Sequence, residues 1–300
     1  MRAALLACDW GSTHLRAWTM DAEGRVVQRQ DFPFGVNRLA PGDAGPKFLQ
    51  EVRPALDAQG LPALLCGGIG SNIGWVTVPY VDCPASLEAV ARGLVSPAQG
   101  VWIVPGIRCE AFGDACDVLR GEETQAFGWI AADPSHAQGQ HLLCQPGTHA
   151  KWLVVADGQV RRFLSAFTGE LYAVLSAHSI LRNPGPGNDL AAFDAGLVVA
   201  ADGDGLLNRI YTARSRVAGH GASQDSTGDY LSGLLIGAEV AATPRLLGLE
   251  NTAVTLLGDP TLSARYARAL TRRGVTNSLA DGETAVRTGL YAIARLRGLI

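Results

Sequence analysis

The sequence predicts an α/β protein built from two similar halves, each a mixed β-sheet flanked by helices. The main observation is a pattern that occurs twice, as DWGSTHLR at 9–16 and as PGTHAK at 146–151. Each copy follows an apolar run and leads through a second apolar segment and a polar turn into a third. One repetition half a chain apart indicates a duplicated domain rather than a solenoid. Helical patterns that alternate with later strands favour a mixed sheet covered by helices.

The first half is predicted to form a strand meander followed by alternating helices and strands. The predicted elements are strands near 3–8, 16–20 and 25–30, a helix near 44–59, a strand at 62–66, a helix near 86–93, a strand at 101–104 and a helix near 117–131. The last helix is the expected hinge, because the second meander begins just beyond it. The first domain is therefore predicted to cover residues 1–120.

The second half repeats this order with more helices. The predicted elements are strands near 141–145, 151–156, 159–165 and 253–257, and helices near 169–182, 189–201, 204–216, 226–243, 261–273 and 283–298. The segment NPGPGN at 183–188 is rich in helix-breaking residues and is predicted to be a loop within this half. The second domain is predicted to cover 121–284, with the C-terminal helix 285–300 packing back on the first domain.

Composition excludes several classes of protein. The 300 residues, 47% hydrophobic, suffice for one large or two moderate cores. A net charge of -3, without basic runs interleaved with aromatic residues, argues against a nucleic-acid surface. No apolar stretch is long enough for a membrane span, and the first apolar run ends too early, at Asp9, for a signal peptide. The six cysteines lack a Cys-x-x-Cys spacing and the histidines lack a His-Glu-x-x-His motif, which predicts a reduced, cytoplasmic protein without structural zinc.

The two repeated turns are the first candidate site. Their small and hydroxyl residues present backbone N–H groups and side-chain hydroxyls, which suit phosphate oxygens, and a basic residue follows each turn. The residues are Gly11, Ser12 and Thr13 in the first copy, and Gly147, Thr148 and His149 in the second. Two like domains that face each other across a cleft would hold a phosphate from both sides. The alternative is that both segments only form hairpin turns.

Carboxylates and a late glycine turn add further candidates. Asp9 ends a buried strand, where it suits Mg²⁺ bound to nucleotide phosphates or, alternatively, caps the following turn. Asp117 is predicted to open a helix, as a base for a substrate hydroxyl or as a helix cap, with Glu122 in reserve. Gly258 and Asp259 follow a buried strand, where a flat adenine ring can approach the backbone, although an ordinary strand-to-helix turn has the same pattern.

The glycine-rich segment at 67–74 does not match the dinucleotide fingerprint. Ile73 stands where the fingerprint needs glycine, and the segment at 75–80 reads as extended rather than helical. The chain also lacks a P-loop motif. We therefore predict that residues 67–74 form a loop on the substrate side.

Taken in order, these motifs resemble the acetate and sugar kinase, Hsp70 and actin superfamily and, within it, the 2-dehydro-3-deoxygalactonokinase family. The matching stretches are DWGSTHLRAW (9–18), GSNIGWVTVPYVDCPA (70–85), VPGI (104–107), CDVLRGEETQAFG (116–128), PGTHAKW (146–152), FTGELYAVLSAHSIL (167–181), YLSGLLIGAE (230–239) and LLGDPTLSARYARAL (256–270). They cover nearly the whole chain. The resemblance implies two ribonuclease H-like domains with an interdomain cleft, and transfer of the γ-phosphoryl group of ATP to the 6-hydroxyl of 2-dehydro-3-deoxy-D-galactonate.

The resemblance also implies roles for individual residues. Asp9 would organise Mg²⁺, Arg16 would neutralise charge near the γ-phosphate, and Asp117 would be the base by analogy with related sugar kinases. The first turn would hold the β- and γ-phosphates, the second would hold phosphates from the other domain, and Gly258 and Asp259 would lie beside the adenosine. The expected sugar-acid pocket consists of Ser71, Asn72, Trp75 and Tyr80, with Arg120 for the substrate carboxylate.

Other functions remain open at this level. A kinase for another 2-keto-3-deoxy sugar acid would use the same residues. An ATPase or polyphosphate hydrolase of the same superfamily would keep the phosphate turns but change the acceptor. A nucleotide-binding regulatory module without catalysis is a third alternative, which the presence of Asp9, Asp117 and Thr148 argues against. The expected partners are ATP and a small sugar acid, and a homodimer is left open because the sequence does not determine the oligomeric state.

Overall fold

The computed structural model describes residues 2–182 and 187–300, and it confirms a mixed α/β fold. The strands are β1 Leu5–Trp10, β2 Leu15–Met20, β3 Val26–Phe32, β4 Ala63–Cys66, β5 Val81–Asp82, β6 Val95–Ala98, β7 Val101–Ile103, β8 Ile107–Phe112, β9 Ala115–Leu119, β10 Gln140–Gln145, β11 Ala150–Ala156, β12 Gln159–Ala166, β13 Val254–Gly258 and β14 Asn277–Asp281. The helices are α1 Ala44–Lys47, α2 Arg53–Ala55, α3 Leu87–Arg92, α4 Glu122–Ala132, α5 Thr168–His178, α6 Leu190–Val199, α7 Leu206–Ile210, α8 Thr212–His220, α9 Thr227–Leu246, α10 Pro260–Arg272 and α11 Gly282–Arg297.

The first large sheet has the strand order β3-β2-β1-β4-β7-β6. Its centre is parallel, since β1 pairs with β4 and β4 pairs with β7 in the same direction. The four residues of β4 are all buried, as expected for a central strand covered on both faces. Because parallel strands end at the same edge, Asp9 at the end of β1 lies beside Cys66 at the end of β4.

The second large sheet has the order β12-β11-β10-β13-β14. This order matches β3-β2-β1-β4-β7 of the first sheet, and β10 pairs with β13 in parallel as β1 does with β4. The duplication predicted from the repeated turn is therefore present in the topology. Each repeated turn follows the central strand of its sheet, β1 or β10.

The chain divides into two compact units. The first comprises residues 1–140, 155–162 and 282–300, and the second comprises 141–154 and 163–281. Helix α11 belongs to the first unit, where it packs against α4. The sequence predicts that the first domain ends at residue 120. In the structure the first unit extends to residue 140, so that α4 belongs to it.

The predicted helix over 117–131 is wrong at its start. Residues Ala115–Leu119 form β9, which pairs antiparallel with β8 so that Asp117 lies opposite Cys109. A turn at Gly113, with a φ of 56°, reverses the chain between the two strands. The hairpin satisfies the backbone groups of these residues, and α4 begins only at Glu122. Asp117 is thus a strand residue and caps no helix.

Other differences are smaller. The predicted helix over 44–59 ends at Ala55 and contains a π-helical turn, Phe48–Val52, between α1 and α2. The predicted helix over 204–216 is two short helices, α7 and α8. The predicted loop at 183–188 falls mostly on residues 183–186, outside the described part of the chain. Within the described residues, no helix has the length and apolar character that a membrane span requires.

Candidate active site

The end of β1 holds an ion pair between two residues that the sequence places in the site. The Nη2 atom of Arg16 donates to Oδ2 of Asp9 at 2.5 Å, because the antiparallel register sets the two residues opposite each other. The Asp9 side chain is only 12% exposed, whereas that of Arg16 is 38% exposed. Burial of Arg16 opposes its charge, but the Asp9 carboxylate outweighs this effect and raises the pKa of the guanidinium. The Arg16 guanidinium therefore remains charged at the sheet edge.

The first repeated turn lies directly beside this ion pair. The backbone N–H of Gly11 donates to the carbonyl oxygen of His14 at 3.0 Å, which closes the turn. Val36 and Asn37 donate to the carbonyl oxygens of Gly11 and Ser12, so a neighbouring segment fixes the backbone from outside. Ser12 and Thr13 are exposed at this edge. The turn is thus held rigidly while its hydroxyl residues stay accessible.

The start of α4 meets the ends of β1 and β4. Gly67 follows β4 with a φ of 89°, and a Cβ atom on it would lie 2.8 Å from the Trp10 carbonyl oxygen and 3.3 Å from Oδ1 of Asp9. A Cβ atom on Gly121, the residue before α4, would lie 3.1 Å from the Cα atom of Gly67. Only glycine permits this approach of three backbone segments. The first turn of α4, which begins with Glu122, is therefore brought to the same sheet edge as Asp9.

Two glutamates at this helix start hold the preceding loop. Oε2 of Glu122 accepts from the Arg120 backbone N–H at 3.0 Å, and Oε2 of Glu123 accepts from that of Gly121 at 2.6 Å. Glu123 is fully buried, and its Oε1 accepts from the Thr124 hydroxyl at 2.8 Å. Burial, reinforced by the neighbouring Glu122, raises the pKa of Glu123 to about 8. The sequence shows two adjacent acidic residues but not which of them is buried, so Glu123 was not predicted.

Glu123 gives the protein a specific pH dependence of stability. An unfolded glutamate ionises near pH 4.3, roughly, whereas the buried carboxyl keeps its proton up to about pH 8. Its contribution to stability is thus complete below pH ~4 and is lost as the pH rises towards 8. The free energy of unfolding of the wild type should therefore fall between pH 5 and pH 8, on the order of 3 kcal/mol, relative to that of Glu123→Gln. Urea unfolding of both proteins at the two pH values measures this change. Glu250→Gln, at an exposed position in the second unit, is the control, and an equal difference between Glu123→Gln and the wild type at both pH values would contradict the prediction.

Arg120 and Tyr80 are brought together although 40 residues separate them. The Arg120 guanidinium stacks over the Tyr80 ring at 4.4 Å, and its Nη2 donates to the Val78 carbonyl oxygen at 2.7 Å. Its Nε and Nη1 atoms are buried without a hydrogen-bond partner in the described part of the chain. Buried N–H groups of a charged residue are costly when unsatisfied, and a carboxylate is the acceptor that suits them best.

The other residues predicted for the sugar-acid pocket follow β4 in one loop. The Ser71 hydroxyl donates to the Gly68 carbonyl oxygen at 2.7 Å, and Asn72 is exposed. Trp75 instead packs against Phe48, with ring centroids 5.7 Å apart, at the border of the first hydrophobic core. Ser71 and Asn72 are therefore placed near the sheet edge, whereas Trp75 has a packing role.

In the second unit, the second repeated turn rests on the start of α5. The Glu170 backbone N–H donates to the Thr148 carbonyl oxygen at 2.9 Å. The His149 ring stacks on Phe167, and its Nε2 atom lies 2.5 Å from the Glu170 carboxylate. His149 is thus held by its own neighbours, which leaves Gly147 and Thr148 as the better phosphate candidates.

Gly258 and Asp259 lie at the same sheet edge as Gly147. The parallel register sets Cys144 of β10 beside Leu256 of β13, so the turns after these two strands are neighbours. Oδ1 of Asp259 accepts from the Leu262 N–H at 2.9 Å and caps α10. The glycine turn is therefore also an ordinary strand-to-helix turn, which is compatible with a ligand beside it.

Gly147 also borders a cavity of about 300 Å³ within the second unit. Its walls come from α5, α9 and α10, and it has the mixed apolar and polar lining typical of ligand sites. Arg265 in this wall donates to Oδ1 of the buried Asp229 at 2.9 Å and to the Gly187 carbonyl oxygen at 2.7 Å. The residues that line the cavity include Gly147, Tyr172, Leu235, Ile236, Leu262 and Arg265. Except for Gly147 they were not predicted, because they come from three helices that are distant in the sequence.

The site around Asp9 fits a Mg²⁺ ion that is bound together with substrate phosphates. Among residues 2–182 and 187–300, no three His, Cys, Asp or Glu side chains form a group that could hold a metal ion. Mg²⁺ in kinases is nevertheless bound by one or two carboxylates together with substrate phosphates and water. Asp9 provides one such carboxylate beside a phosphate-type turn.

Similarity to known proteins identifies the family of this chain. The family model described as 2-keto-3-deoxy-galactonokinase matches residues 9–293. A protein from Escherichia coli (strain K12), named 2-dehydro-3-deoxygalactonokinase, is 35% identical over 98% of both chains. A crystal structure from Sinorhizobium meliloti, described as a 2-dehydro-3-deoxygalactonokinase protein, is 30% identical over 97% of this chain and 98% of its own, with a TM-score of 0.85. A xylulose kinase from Lactobacillus acidophilus, 9% identical over 99% of this chain and 90% of its own, shares only the fold, with a TM-score of 0.51. The chain belongs to the 2-keto-3-deoxy-galactonokinase family.

Proposed function

We propose that this chain transfers the γ-phosphoryl group of ATP to the 6-hydroxyl of 2-dehydro-3-deoxygalactonate. As a member of this family it is an ATP-dependent sugar-acid kinase. The name of the Escherichia coli relative, which matches the chain over almost its whole length, supports the choice of substrate. The observation that carries the proposal is the Arg120 guanidinium, whose two buried, unsatisfied N–H groups suit the carboxylate of a sugar acid.

The first unit would bind the reacting phosphates and the sugar acid. Asp9 would hold Mg²⁺, which when bound neutralises charge on the phosphates. The turn Gly11–Thr13 would bind the β- and γ-phosphates through backbone N–H groups and hydroxyls, and Arg16 would add positive charge nearby. Phosphoryl transfer depends mainly on positioning and charge neutralisation, and these residues supply both.

The second unit would bind the rest of the nucleotide. Gly147 and Thr148 would contact phosphates at the edge of the second sheet. The cavity of about 300 Å³ beside Gly147 would take the adenosine, with Gly258 and Asp259 in the neighbouring turn. Arg265 is fixed by its hydrogen bonds to Asp229 and to the Gly187 carbonyl oxygen and would form a rigid wall of this cavity.

Two carboxylates are proposed for the base that takes the proton from the sugar hydroxyl. Glu122 lies in the first turn of α4, which the contact between Gly121 and Gly67 brings to the edge that holds Asp9. Asp117 lies on β9 instead, where its Oδ1 accepts from the Val118 N–H at 2.7 Å. This difference favours Glu122, and Asp117 becomes the second candidate.

Arg120→Ala tests the substrate class. We expect the KM for the sugar acid to rise about 10- to 100-fold, because a hydrogen-bonded charge pair is lost, while the KM for ATP changes little. Arg120→Lys should recover only part of the loss, because lysine cannot form two parallel hydrogen bonds to a carboxylate. Steady-state kinetics with each substrate varied separately measures both effects. Arg108→Ala, an exposed arginine paired with Asp82, is the matched control, and an unchanged sugar-acid KM in Arg120→Ala would contradict the proposed role.

The substrate itself is tested with a panel of 2-keto-3-deoxy sugar acids and neutral sugars, with ATP and Mg²⁺ in a coupled ADP-release assay. We expect the highest kcat/KM with 2-dehydro-3-deoxygalactonate and no turnover with neutral sugars. A higher kcat/KM for another sugar acid would reassign the substrate within the family. Equal ADP release without any sugar would instead indicate an ATPase.

A further inference from the structure

Two cysteines outside the proposed active site lie side by side in the small sheet β5-β8-β9 of the first unit. Strand β5 runs parallel to β8, with Asp82 paired to Arg108. The next register position sets Cys83 beside Cys109, and the Cys83 N–H donates to the Arg108 carbonyl oxygen at 2.9 Å. This backbone pairing brings the two cysteines next to each other on neighbouring strands. Paired strands are about 4.8 Å apart, which falls within the Cα separation of about 4.4–6.8 Å that a disulfide requires.

Both thiols are accessible from solvent. Cys83 and Cys109 are partly exposed and line a surface cavity of about 590 Å³. Arg108, Arg161 and Arg162 line the same cavity, together with the acidic Asp82 and Glu110. Arginines beside a thiol favour its reactive thiolate form.

The neighbouring cysteine affects the ionisation of Cys83. Its interaction with Cys109, together with burial, raises the pKa of the Cys83 thiol well above its usual range. The remaining cysteines provide comparisons, because Cys116 is exposed on β9 whereas Cys8, Cys66 and Cys144 are buried.

We propose that Cys83 and Cys109 form a redox-active pair, which hydrogen peroxide converts into a disulfide between the end of β5 and β8. The thiolate of one cysteine attacks one peroxide oxygen, so that an S–O bond forms, the O–O bond breaks and hydroxide leaves, to be protonated to water. The sulfur of the other cysteine then attacks this sulfenic acid, so that the S–S bond forms, the S–O bond breaks and water leaves with the proton of the second thiol. The two thiols together lose two electrons, and one peroxide is reduced to two waters.

The disulfide has a protective consequence. A sulfenic acid without a nearby thiol is oxidised further to sulfinic acid, which is irreversible for most proteins. A neighbouring thiol reacts with the sulfenic acid first and converts it into a disulfide, which thiol reagents can reduce. The pair thus keeps oxidation of this sheet reversible.

The test uses the whole protein, treated with a small excess of hydrogen peroxide, alkylated with iodoacetamide and mapped by peptide mass spectrometry. We expect the peptides that contain Cys83 and Cys109 to appear joined, with a mass lower by two hydrogen atoms, and dithiothreitol to restore both alkylation sites. In Cys83→Ser, Cys109 should instead reach the sulfinic acid, and Cys116→Ser should behave as the wild type.

Three results would overturn the proposal. The first is independent oxidation of Cys83 and Cys109 to sulfinic acids in the wild type. The second is a disulfide that joins either of them to Cys116. The third is full alkylation of both thiols after peroxide treatment sufficient to oxidise the exposed Cys116. The wild-type mapping alone decides among these outcomes, so a variant that folds poorly does not affect the result.

Discussion

Replacing Asp9 with asparagine is expected to lower kcat about 10²-fold or more, with a smaller change in the KM for ATP. Asparagine keeps the shape of the side chain but removes the charge that pairs with Arg16 and that would hold Mg²⁺. The lost interaction matters most when charge is redistributed during transfer, so turnover should fall more than ground-state binding. Initial rates over a range of ATP and Mg²⁺ concentrations measure this effect.

Asp57→Asn is the matched control for this prediction. Asp57 is an exposed residue between α2 and β4, and its φ of 50° is a conformation that asparagine tolerates well. We expect this variant to keep the wild-type kcat. If Asp9→Asn retained more than about a tenth of the wild-type kcat while Asp57→Asn behaved normally, the proposed role of Asp9 as the Mg²⁺ ligand would be contradicted.

The second large effect is expected from Glu122→Gln, which should lower kcat about 10²- to 10⁴-fold, the usual contribution of a general base. The physical reason is the position of Glu122 in the first turn of α4, at the edge where Asp9 also lies. The glutamine side chain can still accept from the Arg120 backbone N–H, so the loop before α4 should keep its conformation. The KM for ATP should change little.

Asp117→Asn is the decisive comparison, measured in the same assay. We expect it to lose less than about tenfold in kcat, because β9 and not a helix start carries this residue. A large loss in Asp117→Asn together with near-normal turnover in Glu122→Gln would reverse the assignment and make Asp117 the base.

The features of this chain that depend on local pattern were predictable from sequence. The two meanders, the turns after β1 and β10, and the C-terminal helix all follow from apolar periodicity and from small or hydroxyl residues at turns. The repetition itself indicated the matching strand orders of the two large sheets. These features depend little on contacts between distant residues.

The errors arose where tertiary pairing overrides local pattern. Asp117 stands a few residues before a strong helical segment and therefore resembles a helix cap, but pairing with β8 extends the chain there instead. The burial of Glu123 depends on packing around α4. The contact of Arg120 with Tyr80 joins residues that are 40 apart, and only the family resemblance placed both of them in one pocket. Neither has a signal in the spacing of residues, since a single sequence does not specify which distant segments meet.

The most direct test of the proposed kinase activity follows the γ-phosphoryl group itself. The protein is incubated with γ-labelled ATP and 2-dehydro-3-deoxygalactonate, and the label is traced to the sugar or to inorganic phosphate. We expect one labelled 6-phosphate ester for each ADP formed, and negligible ADP formation without the sugar acid. Label that appears mainly in inorganic phosphate, at a rate independent of the sugar acid, would contradict the account.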